Sequence, residues 1–282
     1  MRVIGVIDLR NGRAVRACAG HRDRYPPIGD PVDLARRYVD HYKLTELYLA
    51  DLDAIENGGG PDRLRQGYGE SRRSEAEAER PALQVASDFG GPERPALQVE
   101  RRVARPFQGR DRDRGDTIRR IAELGVPLWL DAGVSSVERA RHALDLGATR
   151  VIVGLESLPS FHALRSICAA IGGERVAFSL DLQAGEPIAG RAIPREAPEQ
   201  LAARAADAGA RSIIVLDLAR VGTRVGVDVE LLGRIQKAAP GLVLLAGGGV
   251  RGPADLEKLA ELGCDGVLMA TALDALYPSV TR

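Results

Sequence analysis

The sequence is poor in cysteine, histidine and aromatic residues, carries no net charge and opens without a long apolar run. The three cysteines, Cys18, Cys168 and Cys264, stand far apart and in odd number, and none has the Cys-x-x-Cys spacing of a zinc or redox site. A reduced, cytoplasmic setting fits them. Four scattered histidines (His21, His41, His142, His162) suggest no metal site. Lysine plus arginine equals aspartate plus glutamate at 39 each, so no global field draws the chain to nucleic acid or an anionic membrane, and any anion site must be local. The opening MRVIGVIDLR reaches a charge after a few apolar residues and reads as neither a signal peptide nor a membrane span.

What is abundant is short apolar strand material. Val3–Ile7, Leu47–Leu49, Pro127–Leu130, Val151–Val153, Val176–Leu180, Ile213–Leu216, Leu242–Leu245 and Val267–Met269 are eight continuous apolar runs. Each is followed by helical spacing, as in DPVDLARRYVDHY (30–42), DTIRRIAELG (116–125), SSVERARHALDLG (135–147) and PADLEKLAELG (253–263). Several of these start after Asp or Ser and stop at Gly, as helix capping predicts. Strands without alternation, joined by helices, predict a parallel sheet covered on its outer face. Eight such units predict a (β/α)8 TIM barrel, with a doubly wound sheet as the alternative. A chain of 282 residues suits a single barrel domain over 1–282.

The two halves of the chain also resemble each other. Asp8-Leu9-x-x-Gly12 recurs as Asp181-Leu182-x-x-Gly185, Ala50-Asp51-Leu52 as Leu216-Asp217-Leu218, and Gly133-Val134 as Gly249-Val250. The barrel is therefore expected to be two (βα)4 half-barrels. The spacing between matched residues drops after Leu52, which places extra residues in the first half. Residues 61–115, rich in Arg, Glu, Gly and Pro and containing ERPALQV at 79–85 and 93–99, are expected to be a largely disordered, low-complexity insertion after the second strand. A lid over the mouth is the functional alternative. Its basic runs RRVAR and GRDRDRG are interleaved with acids and lack aromatic stacking partners, so they read as a solvated linker rather than a nucleic-acid surface.

Barrel chemistry sits at the C-terminal ends of strands, and these ends carry Asp8, Asp51, Asp131, Asp181 and Asp217. The repeat relates Asp8 and Asp181, which should face each other across the mouth. Two carboxylates flanking a substrate can act as general base and general acid if their surroundings differ. Asp51 and Asp217 read instead as caps of the loops that follow. LVLLAGGGV (242–250) ends in Gly247, Gly248 and Gly249, whose backbone N–H groups can approach a phosphate at the start of a helix. Its repeat partner is Asp131-Ala132-Gly133-Val134, where Asp131 stands in place of the first glycine and sets a negative charge where an anion would lie. Arg251 could supply a compensating cation.

Taken in order, VIDLRNGRAVR (6–16), DPVDLARRY (30–38), LYLADLDAIENG (47–58), LDAGVSS (130–136), RVIVGLES (150–157), AFSLDLQAGEP (177–187), LDLARVGT (216–223) and LLAGGGV (244–250) resemble the HisA/HisF family of histidine-biosynthesis barrels, HisA more than HisF. The resemblance covers essentially the whole chain apart from 61–115. It implies an isomerase that carries out an Amadori rearrangement of a phosphoribosyl aminoimidazole carboxamide from aldose to ketose, with Asp8 as base, Asp181 as acid and no cofactor or metal. It further implies that Gly248 and Gly249, with the backbone around Ala270 and Thr271, hold one phosphate. Gly222 and Thr223 of the strand-six loop and Asp131 and Gly133 of strand three complete the expected substrate-binding positions. The sequence departs from the family in having DAG for the strand-three glycine triplet, Leu216 and Val221 at strand six, and LMATA at strand eight. These departures resemble a divergent HisA/HisF-related subfamily, which implies another phosphorylated substrate in tetrahydromethanopterin-linked one-carbon cofactor synthesis, with Asp131 as a working carboxylate. A non-catalytic barrel is the third alternative. The expected partner is a small phosphorylated molecule, with no nucleic acid and no membrane.

Overall fold

Short runs of Val, Ile and Leu become strands buried on both faces only where something covers each face, and a closed ring with an outer jacket of helices does this for all of them. The computed structural model of the protein describes residues 1–21, 24–58, 108–190 and 192–276. The first half runs β1 (Arg2–Arg10), β2 (Arg13–Val15), β3 (Pro27–Gly29), α1 (Pro31–Arg36), β4 (Leu47–Asp51), α2 (Leu52–Gly58), α3 (Gln108–Ala122), β5 (Leu128–Asp131), α4 (Val137–Asp145), β6 (Arg150–Gly154) and α5 (Phe161–Ile171). The second half runs β7 (Val176–Gln183), β8 (Glu186–Pro187), α6 (Pro198–Asp207), β9 (Ser212–Asp217), α7 (Val229–Ala238), β10 (Val243–Gly247), α8 (Pro253–Leu262), β11 (Gly266–Met269) and α9 (Leu273–Leu276).

Strands β1, β4, β5, β6, β7, β9, β10 and β11 pair in parallel in that order, and β11 pairs back onto β1, with Val3 beside Val267. The ring is closed, which gives the (β/α)8 barrel expected from the sequence. It rules out the doubly wound alternative, whose sheet would keep two open edges. Strand periodicity splits the core in two. Ile4, Tyr48, Trp129, Ile152, Ala177, Ile214, Leu245 and Leu268 fill the barrel interior. Ile7, Leu49, Leu130, Val153, Phe178 and Val215 point the other way and pack under the helices. Trp129 seals the far end of the interior from the mouth: its indole N–H donates to Glu46 Oε2 at 2.7 Å, and the Arg150 guanidinium sits 4.6 Å from its ring centre.

The helices start and stop as their caps dictate. Asp30 accepts from Val32 and Asp33 N–H at the start of α1, while Ser136, Ser160 and Asp228 cap α4, α5 and α7 in the same manner. Two features were not expected from the sequence. The short antiparallel strands β2, β3 and β8 extend the ring at β1 and β7. Helix α3 begins at Gln108, so residues 108–115, counted with the disordered insertion, are helical instead. Charges of this helix are spent within the fold: Arg114 reaches Asp51 at 3.7 Å and Asp53 at 3.8 Å, and Asp116 pairs with Arg119 one turn on. The rest of the expected insertion, with the lid alternative, lies outside the described residues. Among the described residues no helix is long and apolar enough to cross a membrane.

The half-barrel repeat extends to backbone conformation. The two-residue turns closing β1–β2 and β7–β8 both use consecutive left-handed residues, Asn11 (φ 50°) with Gly12 (φ 73°) and Ala184 (φ 53°) with Gly185 (φ 86°). A carboxylate from the next barrel strand's loop pins each turn. Asn11 N–H donates to Asp53 at 2.7 Å, and Ala184 and Gly185 N–H donate to Asp217 at 3.0 and 3.2 Å. Alanine is poorly suited to the left-handed region, whereas asparagine and glycine enter it readily. Ala184→Gly is therefore expected to raise unfolding free energy by about 1 kcal/mol, measurable as a higher urea midpoint at unchanged slope.

Candidate active site

Register around a closed ring decides which side chains meet at the mouth. Asp8 lies beside Ala50 and Ala50 beside Asp131, along β1, β4 and β5. On the opposite arc Asp181 lies beside Leu216 and Leu216 beside Gly247, along β7, β9 and β10. With four strand steps between β1 and β7 in either direction, Asp8 and Asp181 stand on opposite sides of the barrel. They line one cavity that encloses about 1160 Å³ including the solvent at its opening, ample for a drug-sized ligand.

The carboxylates are differently held. Asp181 is 7% exposed and accepts from the fully buried Ser179 hydroxyl at 2.8 Å. Gly154 on β6 leaves room for it, since a Cβ there would lie 3.3 Å from Asp181 Oδ2. Asp131, 8% exposed, accepts from Gly133 N–H through Oδ1 at 3.3 Å and from the Tyr48 hydroxyl through Oδ2 at 3.2 Å. Burial, and after it the negative charges of Asp131, Asp181 and Asp8, push the Tyr48 phenol well above its ordinary value of 10.0. The phenol therefore remains a proton donor in the middle of three carboxylates.

Asp51 and Asp217 are buried and turn to structural work, as their loop context suggested. Asp51 takes the Ala54 N–H at 3.1 Å. Asp217 takes the Ala219 N–H and the Arg220 guanidinium in addition to the β7–β8 turn. Cys168 and Cys264 are buried, which pushes both thiols up to about 11 and keeps them protonated near neutral pH.

Of the other positions expected to bind substrate, Gly222, Gly248, Gly249, Ala270, Thr271 and Asp131 line the same cavity. Gly247, Gly133 and Thr223 stand outside its lining. Gly247 is packed between Leu216 and Leu268, Gly133 faces the Ala54 carbonyl, and the Thr223 hydroxyl donates to the Arg220 carbonyl at 2.7 Å. Gly248 (φ 84°) and Gly249 (φ 87°) need the left-handed region and press within 2.6 Å of neighbouring carbonyls if given a Cβ, so only glycine fits either place. Arg251 does not serve the loop: its backbone N–H and guanidinium are both tied to Asp255, at 2.9 and 2.6 Å. The cations that line the cavity are Arg16, whose Nη1 donates to Thr271 Oγ1 at 3.1 Å, and Arg224.

Sequence reasoning passed over Tyr48, Arg16, Arg224, Glu156 and Ser179. Tyr48 and Ser179 were within reach of strand periodicity, since LYLAD and FSLD alternate inward at Tyr48 and Ala50 and at Ser179 and Asp181. Arg16, Arg224 and Glu156 lie on loops, where no period applies. The Tyr48 contact is open to a direct check. Tyr48→Phe leaves a buried acceptor short of its donor and is expected to cost about 1–3 kcal/mol at neutral pH. Because the folded phenol holds its proton beyond 10.0 while the unfolded one releases it there, the wild-type advantage is fully present below pH 10 and shrinks above it. Urea melts of both proteins on either side of that pH read the difference.

Known proteins resemble the chain along most of its length. A family described as "Histidine biosynthesis protein" matches residues 2–63 and 107–278, breaking where the insertion was expected. A protein of Thermus thermophilus named 1-(5-phosphoribosyl)-5-((5-phosphoribosylamino)methylideneamino)imidazole-4-carboxamide isomerase is 32% identical over 97% of this chain and 94% of its own. Proteins of the same name from a Synechococcus species and from Deinococcus radiodurans are 34% and 28% identical over 97% and 96% of this chain, and over 85% and 92% of their own. A family match along both half-barrels, together with full-length relatives at this level of identity, establishes that the chain belongs to the histidine biosynthesis protein family.

Proposed function

We propose that this chain is an aldose–ketose isomerase that carries out an Amadori rearrangement of a phosphorylated ribosylamine, with Asp8 as general base and Asp181 as general acid. The observation that carries this reading is the placement of the two carboxylates on opposite strands of one cavity, one of whose walls is a loop of glycine N–H groups. Asp181 protonates the ring oxygen and opens the sugar. Asp8 takes the proton from sugar carbon C2 to give an enolamine, which becomes the ketose as a proton is returned to C1 and the C2 hydroxyl gives up its own. The Ser179 hydroxyl fixes the carboxyl of Asp181, and a divided role requires that its surroundings differ from those of Asp8.

One phosphate of the substrate rests on Gly248 and Gly249 with the backbone of Ala270 and Thr271, and Arg16 and Arg224 supply positive charge beside it. Carboxylates alone suffice for this proton transfer, so the reading calls for no cofactor. The relatives' name describes an isomerase acting on a molecule with two phosphoribosyl groups, which supports the reaction type. The setting that goes with this reading is the cytoplasm, and the partner is a small phosphorylated metabolite.

Asp8→Asn and Asp181→Asn are each expected to lower kcat by about 10²-fold or more, the scale of losing a general acid or base. Near-normal turnover in either variant contradicts the assignment. Gly154→Ala pushes on Asp181 without removing it, and kcat should drop about tenfold, inside the 10²-fold that a 1 Å misplacement can cost. Steady-state kinetics beside a thermal melt separate this displacement from loss of fold.

A further inference from the structure

Among the described residues three aspartates line the cavity, Asp8, Asp131 and Asp181, and the isomerisation employs the first and the last. It also leaves one proton without a receiver. As C1 of the enolamine gains a proton, positive charge develops on C2 and its oxygen, and the C2 hydroxyl proton must pass to an acceptor within hydrogen-bond reach. Asp131 and Tyr48, on the same cavity wall and buried to 8% and 5% exposure, have no part in the steps at Asp8 and Asp181.

Strand register puts Tyr48 between the base and Asp131. It lies on β4, flanked by β1 and β5, and pairs with Val6 and Trp129 one inward step below the rung that carries Asp8, Ala50 and Asp131. From that lower layer its hydroxyl reaches up to donate to Asp131 Oδ2 at 3.2 Å. Asp131 is fixed from its own loop, since Oδ1 takes the Gly133 N–H at 3.3 Å and Arg139 of α4 holds the Gly133 carbonyl at 3.2 Å. A phenol whose proton points at one carboxylate still has a lone pair with which to accept from a second donor. Burial, and then the charges of Asp131, Asp181 and Asp8, keep this phenol protonated. A proton therefore crosses it only if one arrives as the other departs.

Resting on the isomerase reading for the steps at Asp8 and Asp181, we propose that Tyr48 and Asp131 form the path by which the C2 hydroxyl of the substrate loses its proton. The Tyr48 oxygen takes that proton while its own passes to Asp131 Oδ2. The electron pair of the broken O–H bond becomes the second bond of the C2 carbonyl, and the pair of the C1–C2 double bond takes up, at C1, the proton that Asp8 removed from C2. Asp131 ends protonated, and Asp181 ends ionised, having given its proton to the ring oxygen. Return of one proton from Asp131 to Asp181 through solvent restores both, so the cycle balances without an oxidant, a reductant or a cofactor.

Turnover of the carboxamide in the relatives' name by the full chain in D2O tests this, with ketose formed and deuterium at C2 of the recovered aldose both measured. Tyr48→Phe keeps the ring and removes the hydroxyl. Asp131→Asn still accepts the tyrosine's hydrogen bond but cannot take its proton, and it carries the test if Tyr48→Phe does not melt cooperatively. Each is expected to lower kcat at least about tenfold, the loss falling toward the 10²-fold of a missing acid–base group as solvent is shut out. Asp8 still removes the C2 proton in both, so the ratio of deuterium at C2 to ketose formed should rise at least about tenfold over wild type, a split that simple distortion of the site does not produce. The double variant should be no more than about threefold slower than the slower single, because the two residues act as one unit. A smaller loss of kcat in either folded variant overturns the proposal, as does exchange that falls in step with turnover. Asp8→Asn tells the two readings apart. If the path through Tyr48 alone is wrong, Asp8→Asn loses both exchange and turnover while Tyr48→Phe and Asp131→Asn behave as wild type. If the isomerase reading is wrong, Asp8→Asn turns over normally or the wild type forms no ketose, and the path falls with it.

Discussion

The two-residue period of a strand, imposed on a ring that closes, is the constraint from which the rest of this structure follows. Once β11 pairs with β1 no register is free to slip, because a shift of one residue would turn the interior residues Tyr48, Trp129 and Ile152 outward and the shell residues Leu49, Leu130 and Val153 inward. The same parity fixes Asp8, Asp131 and Asp181 toward the mouth. Packing of the interior thus sets the position of the polar groups one layer above it. These carboxylates need no loop of their own to hold them.

Duplication then supplies two of everything, and the chain uses the copies differently. The two hairpin turns keep a common backbone form and a common means of attachment, a carboxylate from the adjoining barrel strand's loop. The paired loops after β5 and β10 have diverged in charge. One offers the N–H groups of Gly248 and Gly249, whereas the other answers its own donor with Asp131 and receives Arg139 on the Gly133 carbonyl.

Much of this was legible in the sequence, and the reason is local. Continuous apolar runs such as VIVG and VLLA mark strands buried on both faces wherever they fall, and capping residues such as Ser136 and Ser160 mark helix starts by chemistry that acts within four residues. Asp8 and Asp181 could be matched across the chain because the repeat carries its own alignment. What was not legible depends on partners distant in sequence. Arg and Asp at 110–114 look like a solvated linker until Arg114 is seen against Asp51 and Asp53. Arg251 looks available to a phosphate until Asp255, four residues on, takes its guanidinium. Tyr48 was passed over because an aromatic in an apolar run reads as core, and most of its ring is core. Its hydroxyl alone reaches the mouth.

The central proposal is that Asp8 and Asp181 work from opposite strands of one cavity, beside a phosphate seat at Gly248 and Gly249. A crystal structure of the full chain grown in inorganic phosphate tests it most directly. The account predicts a phosphate bound by the N–H groups of Gly248 and Gly249 beside Arg16 and Thr271. Phosphate absent from Gly248 and Gly249 would contradict it.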